Sequence, residues 1–141
     1  MIAPQYQTLL EPLVERASSE PRRRTLTLLG DDSTAEHLSA ADLYDAARAS
    51  ARGLQRAGIA PGDVVAIAIG PLRPLIETFI GALYRGAIPV ITSWGYDRLD
   101  TTHGARVTSL LHRSGARTVV AFGERTAVLE SLAGDVPVLA A

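Results

Sequence analysis

The sequence predicts an α/β fold built on a mainly parallel, doubly wound sheet, and three observations carry that reading. Short apolar runs alternate with segments of helical period along the whole chain. One run, VVAIAI at residues 64 to 69, is apolar on both faces, as expected of an interior parallel strand covered by helices on each side. Gly and Pro punctuate the boundaries between runs. Strands and helices in strict alternation imply right-handed crossovers and therefore a parallel sheet. The 141 residues, 47% of them apolar, suffice for one such domain, a single α/β unit over 1–141 that buries about 68% of the unfolded chain's surface.

The elements follow in order. Residues 6 to 17 place Tyr6, Leu9, Leu10, Leu13, Val14 and Ala17 on one helical face, and Pro12 either kinks this helix or marks its true start. TLTLL at 25 to 29 is a strand, followed by the polar turn Gly30-Asp31-Asp32-Ser33. Ser39 and Asp42 have capping-box spacing and open a helix to about Ala57. Its buried stripe is Leu43, Ala46, Ala47, Ser50, Ala51 and Leu54, while Asp45, Arg48, Arg52 and Arg56 face water. Gly58 supplies a left-handed cap. After the Pro61-Gly62 turn and the 64–69 strand, Pro74 starts a helix through Arg85, with Leu75, Ile76, Phe79, Ile80 and Leu83 inward and Gly86 ending it. IPVIT at 88 to 92 is the next strand. A loop, a helix from about Gly104 to Ser114 stopped by Gly115, a strand at 117 to 122, a helix at about 124 to 133 and a final strand, VPVLA at 136 to 140, complete the pattern.

Composition excludes several functions. The formal charge of −1 argues against a nucleic-acid or anionic-membrane surface, since both require a clustered positive excess. All 14 basic residues are Arg, so Schiff-base chemistry and a phosphate-loop lysine are excluded within this chain. Cysteine is absent, which removes disulfides, thiolate nucleophiles and cysteine metal sites and leans toward a cytoplasmic location. The beginning, MIAPQYQTLLEPLVER, has no basic segment before an apolar core, and no run of membrane-spanning length occurs.

Four segments carry a family resemblance. LSAADLY is similar to a Leu-Thr-Tyr-x-Glu-Leu segment, GIAPGDVVAI to a Gly-x-x-x-Gly-Asp-x-Val-Ala turn and strand, and GALYRGAIPV to a Leu-x-x-Gly-Ala-x-x-Val-Pro segment. ARVTSLLHRSGARTVVA resembles the Arg-Leu-x-x-Ile-Leu-x-x-Ser-Gly-Ala-Lys helix and strand that comes next. In this order they resemble the N-terminal region of adenylate-forming enzymes: acyl-CoA synthetases, fatty acyl-AMP ligases and peptide-synthetase adenylation domains. The resemblance runs from about residue 8 to the end. It implies a larger ligase that joins a carboxylic acid to ATP, with Mg2+, giving an acyl-adenylate and then a thioester on CoA or a carrier protein. The family's Ser/Thr/Gly-rich phosphate loop, acyl-pocket region, ribose-binding Asp and catalytic Lys all follow this region. The resemblance therefore assigns no catalytic, cofactor-binding or metal residue here. It implies scaffold, inactive without the remainder of the ligase, whether that lies in the same gene or on a separate polypeptide.

Candidate sites read from the residues themselves are few. His37, His103 and His112 lie 66 and 9 residues apart, which fits no local ligand spacing, so surface or capping roles are expected. Asp31-Asp32 fits a turn whose carboxylates bond local amides. Arg22-Arg23-Arg24 fits a solvated strand entry. Glu77 is expected to be a solvated charge. The loop 92–104 follows a strand's carboxyl end, where open sheets place ligands; either Trp94 and Tyr96 wall a small pocket, or Trp94 covers the sheet edge or a subdomain joint. A self-contained, non-catalytic flavodoxin-like binding or interaction module is the alternative to the ligase scaffold.

Overall fold

A computed structural model describes residues 6–30, 33–92, 101–123 and 125–140. Helix α1 (Glu11–Ser19) begins with Pro12 in its first turn, so the proline marks a start rather than a kink. Strands β1 (Arg24–Leu29) and β2 (Ala35–Ser39) form an antiparallel hairpin, which breaks the expected strict alternation. β2 has the sequence Ala-Glu-His-Leu-Ser and buries only Leu38 fully, so it lacks the apolar alternation that would mark a strand.

Helix α2 (Ala40–Arg56) opens with the expected capping box: the Ser39 side chain accepts from the Asp42 N–H, and the Asp42 side chain accepts from the Ser39 N–H. At its other end the Gly58 N–H donates to the Gln55 carbonyl and the Ile59 N–H to that of Leu54. This paired closure needs the left-handed backbone that Gly58 adopts at φ 81°. Strand β3 (Val64–Ala68), helix α3 (Leu72–Arg85), strand β4 (Ile88–Ile91), helix α4 (Thr101–Ser114), strand β5 (Ala116–Ala121), helix α5 (Arg125–Leu132) and strand β6 (Val138–Ala140) follow. α3 starts two residues before Pro74, which a first helical turn tolerates because its N–H groups have no partner within the helix.

β3 to β6 form a wholly parallel sheet in the order β4-β3-β5-β6. The crossover through α3 runs outward to β4, and the crossover through α4 returns past β3 to β5. Right-handed connections moving in opposite directions must lie on opposite faces. Accordingly, Leu54, Leu75, Phe79 and Ala82 of α2 and α3 pack with Val65, Ile67 and Ile69 on one face. Val107, Leu111 and Leu129 of α4 and α5 pack with Ala66, Ala68 and Val119 on the other. Ile67 is 0% exposed, which accounts for the two-sided apolar run.

The α2–α3 layer carries a third core on its outer side, where Leu28 and Leu38 of the hairpin and Leu13 of α1 meet Leu43, Ile76 and Ile80. The inward residues expected of α3 therefore divide between two cores, Leu75 and Phe79 toward the sheet and Ile76 and Ile80 toward the hairpin, and each is only half-buried. The fully buried residues of α3 are Thr78, Gly81 and Ala82. A Cβ on Gly81 would lie 2.5 Å from that of Ser50, so the two helices touch nearly backbone to backbone.

Candidate functional site

Open α/β sheets bind ligands beyond the carboxyl ends of their strands, where the crossovers reverse direction. Here that point lies between β3 and β5. β3 delivers Ile69 and Gly70, then Pro71 as the N-cap of α3 with no side-chain cap. β5 delivers Phe122, 41% exposed, and Gly123, whose carbonyl accepts from the N–H and the hydroxyl of Thr126 at 3.1 and 2.9 Å. Next to β3, buried Thr92 donates both its N–H and its hydroxyl to the Ile67 carbonyl at 3.0 Å. Among the described residues this rim presents main chain and apolar side chains, and the Thr92 and Thr126 hydroxyls are engaged in fixing the ends of strands and helices.

Among the described residues a charge cluster borders it. Arg73, in the first turn of α3, donates Nε–H to Glu77 at 2.8 Å and pairs through Nη1 with Glu36 of β2. The hydrogen bond to Glu77, then that to Glu36, holds the guanidinium above its ordinary basicity. Glu77 is thus an ion-paired side chain rather than the simply solvated charge expected. The reason is its position one helical turn beyond Arg73, a spacing at which the side chains meet. Arg73 is 46% exposed, so the cluster contributes less than about 1 kcal/mol and fastens the hairpin to α3. Nearby, the hydrogen bonds from the Ser39 hydroxyl, then the Ser39 N–H, hold the Asp42 carboxyl below its usual range.

A second constellation joins α2 to α3 on their outer surface. The Tyr44 and Tyr84 rings meet edge to face at 5.9 Å, their hydroxyls are 3.5 Å apart, and the Arg48 guanidinium lies 5.5 Å from the Tyr44 ring centre. The hydrogen bond with Tyr84 raises the Tyr44 phenol above its ordinary value. Sequence reasoning missed this pair and the Arg73–Glu36 contact, since their partners stand 40 and 37 residues apart.

The residues singled out from the sequence do not converge. His37 is exposed on β2, its Nδ1 3.0 Å from the Thr27 hydroxyl. His112, at the end of α4, borders a cleft of about 640 Å³ with Arg117 and Asp135, at the sheet's amino end and away from the crossover reversal. Arg22, Arg23 and Arg24 are exposed, with Arg23 paired to Glu20 at 2.7 Å. Asp31, Asp32, Trp94, Tyr96 and the side chain of His103 lie outside the described residues. Among the described residues no group of three His, Cys, Asp or Glu side chains could hold a metal, and no helix is long and apolar enough to cross a membrane.

A doubly wound parallel sheet with a main-chain rim at its crossover reversal defines the general class. The particular family is shown by sequence: the pattern of the AMP-binding enzyme family matches residues 13–140, and the chain belongs to that family. It is 30% identical over 129 residues to pyochelin synthase PchD of Pseudomonas aeruginosa, covering 92% of this chain and 23% of that protein. It is 31% identical over 128 residues to the hybrid PKS-NRPS synthetase pyvA of Aspergillus violaceofuscus, covering 90% of this chain and 3% of that protein. The fold superimposes on a fatty acid AMP ligase from Legionella pneumophila with a TM-score of 0.79 at 25% identity, over 96% of this chain and 23% of the other. The chain thus spans under a quarter of the length of these relatives and corresponds to the N-terminal part of the AMP-binding domain.

Proposed function

We propose that this chain is the amino-terminal scaffold of an ATP-dependent acyl-adenylating ligase acting in the cytoplasm, with a carboxylic acid as substrate and a CoA or carrier-protein thiol as acceptor. The observation that carries the proposal is the family match through residues 13–140, on a chain that spans 23% of its bacterial relative. ATP and Mg2+ belong to the complete ligase. The described residues do not by themselves fit that nucleotide: Arg73 is committed to two carboxylates, the Thr92 and Thr126 hydroxyls donate to carbonyls, and the sequence has no lysine. The part these residues play is to fix a parallel sheet whose carboxyl edge positions groups supplied by the rest of the ligase.

The test is exchange of pyrophosphate into ATP across a panel of carboxylic acids. The chain alone is expected to show none. Mixed with a second polypeptide that begins at the Ser/Thr/Gly-rich loop, it is expected to co-purify, through an apolar interface on the order of 2,000 Å², and to show exchange. Activity from this chain alone, or full activity from the downstream polypeptide alone, would overturn the proposal.

A further inference from the structure

The outer face of α2 carries a charge pattern that the scaffold role leaves unexplained. Tyr44, Arg48, Arg52 and Arg56 follow one another at four-residue steps, forming a single ridge about 18 Å long. All three arginines are exposed. Like charges four residues apart destabilise a helix, and this ridge contains two such pairs in succession. Among the described residues no carboxylate lies within ion-pair distance of Arg48, Arg52 or Arg56, although Asp45 stands one turn before Arg48 on the same helix. At the ridge's amino end Tyr44 and Tyr84 brace each other edge to face, and Arg48 is held over the Tyr44 ring. Tyrosine and arginine are, with tryptophan, the side chains enriched among the anchors of protein interfaces.

We propose that this ridge is a docking surface for an acidic protein helix that presents carboxylates at four-residue spacing. Charge complementarity and ridge geometry carry the assignment. A row at i, i+4, i+8 fits the groove beside an identical row on a second helix, so three carboxylates so spaced would meet three guanidinium groups in register. The Tyr44–Tyr84 pair would supply the apolar contact at one end. Nucleic acid is the weaker fit, because its binding draws on many phosphate contacts over a broad positive surface, whereas this chain has a net charge of −1 and one short row of three arginines. The inference stands apart from the adenylation reading, since the ridge contributes nothing to the rim between β3 and β5.

The experiment is fluorescence anisotropy with the 141-residue chain. The probe is a labelled alanine-based helical peptide with three glutamates at four-residue spacing, and its glutamine counterpart is the control. The glutamate peptide is expected to bind at low ionic strength and the glutamine peptide not. The triple variant Arg48→Gln/Arg52→Gln/Arg56→Gln, its fold verified by circular dichroism, is expected to weaken binding about tenfold, as three exposed ion pairs would. Tyr84→Ala should also weaken it. Raising salt to about 0.5 M should remove most of the binding, since screening then acts over a few ångströms. Equal binding of the two peptides, binding that survives the triple substitution, or tighter binding of an oligouridylate than of the glutamate peptide would each overturn the proposal.

Discussion

Replacing Gly81 by Ala tests the packing within the α2–α3 layer, on which two of the three cores depend. A Cβ at this position would lie 2.5 Å from Ser50 Cβ, 2.6 Å from Ser50 Oγ and 3.0 Å from the Ala47 carbonyl oxygen. Carbon atoms pack at about 3.5–4.0 Å, so the shortfall is about 1 Å. A rotamer change cannot relieve it, because Ser50 Cβ is attached directly to the backbone of α2. The helices must move apart, and the α2–α3 layer has a core on each side, so separation disturbs both. Overpacking of this kind costs about 1–3 kcal/mol, against the gain of about 1 kcal/mol from exchanging a helical Gly for Ala. The expected net result is a loss of up to about 2 kcal/mol.

Gly53, on the partner helix, is the control, because a Cβ there meets nothing within 4 Å. The same substitution at Gly53 should stabilise the protein by up to about 1 kcal/mol. Adding Ser50→Gly to Gly81→Ala should recover part of the loss, with a coupling on the order of 1 kcal/mol. Urea unfolding followed by circular dichroism measures the parent, these three variants and Ser50→Gly alone, which closes the cycle. Equal stability of Gly81→Ala and Gly53→Ala, or a Gly81→Ala protein more stable than the parent, would refute the reasoning.

Further expectations follow from single contacts. Ile67→Asp places a carboxylate where exposure is 0%, at a cost of several kcal/mol, and cooperative unfolding should disappear; retention of a cooperative transition contradicts the two-sided core. Ser39→Ala removes the N-cap of α2 and should cost about 1 kcal/mol at neutral pH. The same change should raise the Asp42 pKa toward its ordinary value, as followed by carboxyl NMR. Because the folded Asp42 pKa lies below the unfolded one, its contribution is present above the unfolded pKa and lost as pH falls through the folded pKa, so the advantage of the parent over Ser39→Ala should shrink in acid. Arg73→Ala breaks two half-exposed ion pairs and should cost less than about 1 kcal/mol, with near-complete insensitivity at high salt; a larger loss would mean that the cluster does more than fasten the hairpin.

The backbone of the fold was legible wherever a few neighbouring residues suffice to specify conformation. The run at 64 to 69 is apolar at every step, short, rich in Val and Ile and bounded by Gly and Pro, as a strand covered on both faces requires, and β3 is that strand. Ser39 and Asp42 stand at capping-box spacing, and Gly58 follows the last turn of the helix they open, so both ends of α2 could be read within a residue or two. The family resemblance rested on these same local features, and residues 13–140 bear it out.

What the sequence could not determine is which surface each face meets. β2 presents one fully buried residue and pairs only because β1 lies beside it, so no periodicity announces it. Leu75, Ile76, Phe79 and Ile80 appear in sequence as one apolar face; the tertiary structure assigns them to two cores, because α3 lies between the sheet and the hairpin. The residue of that helix pressed against Ser50 of α2 is a glycine, since so close an approach rewards the smallest side chain rather than the most apolar. Arg73 with Glu36, and Tyr44 with Tyr84, are likewise products of assembly. Hydrophobic period and capping chemistry act within a turn or two of the chain, and so the sequence by itself determined the elements and their exposed and buried sides. Contacts across 37 and 40 residues depend on how those elements stack, which only the tertiary structure decided.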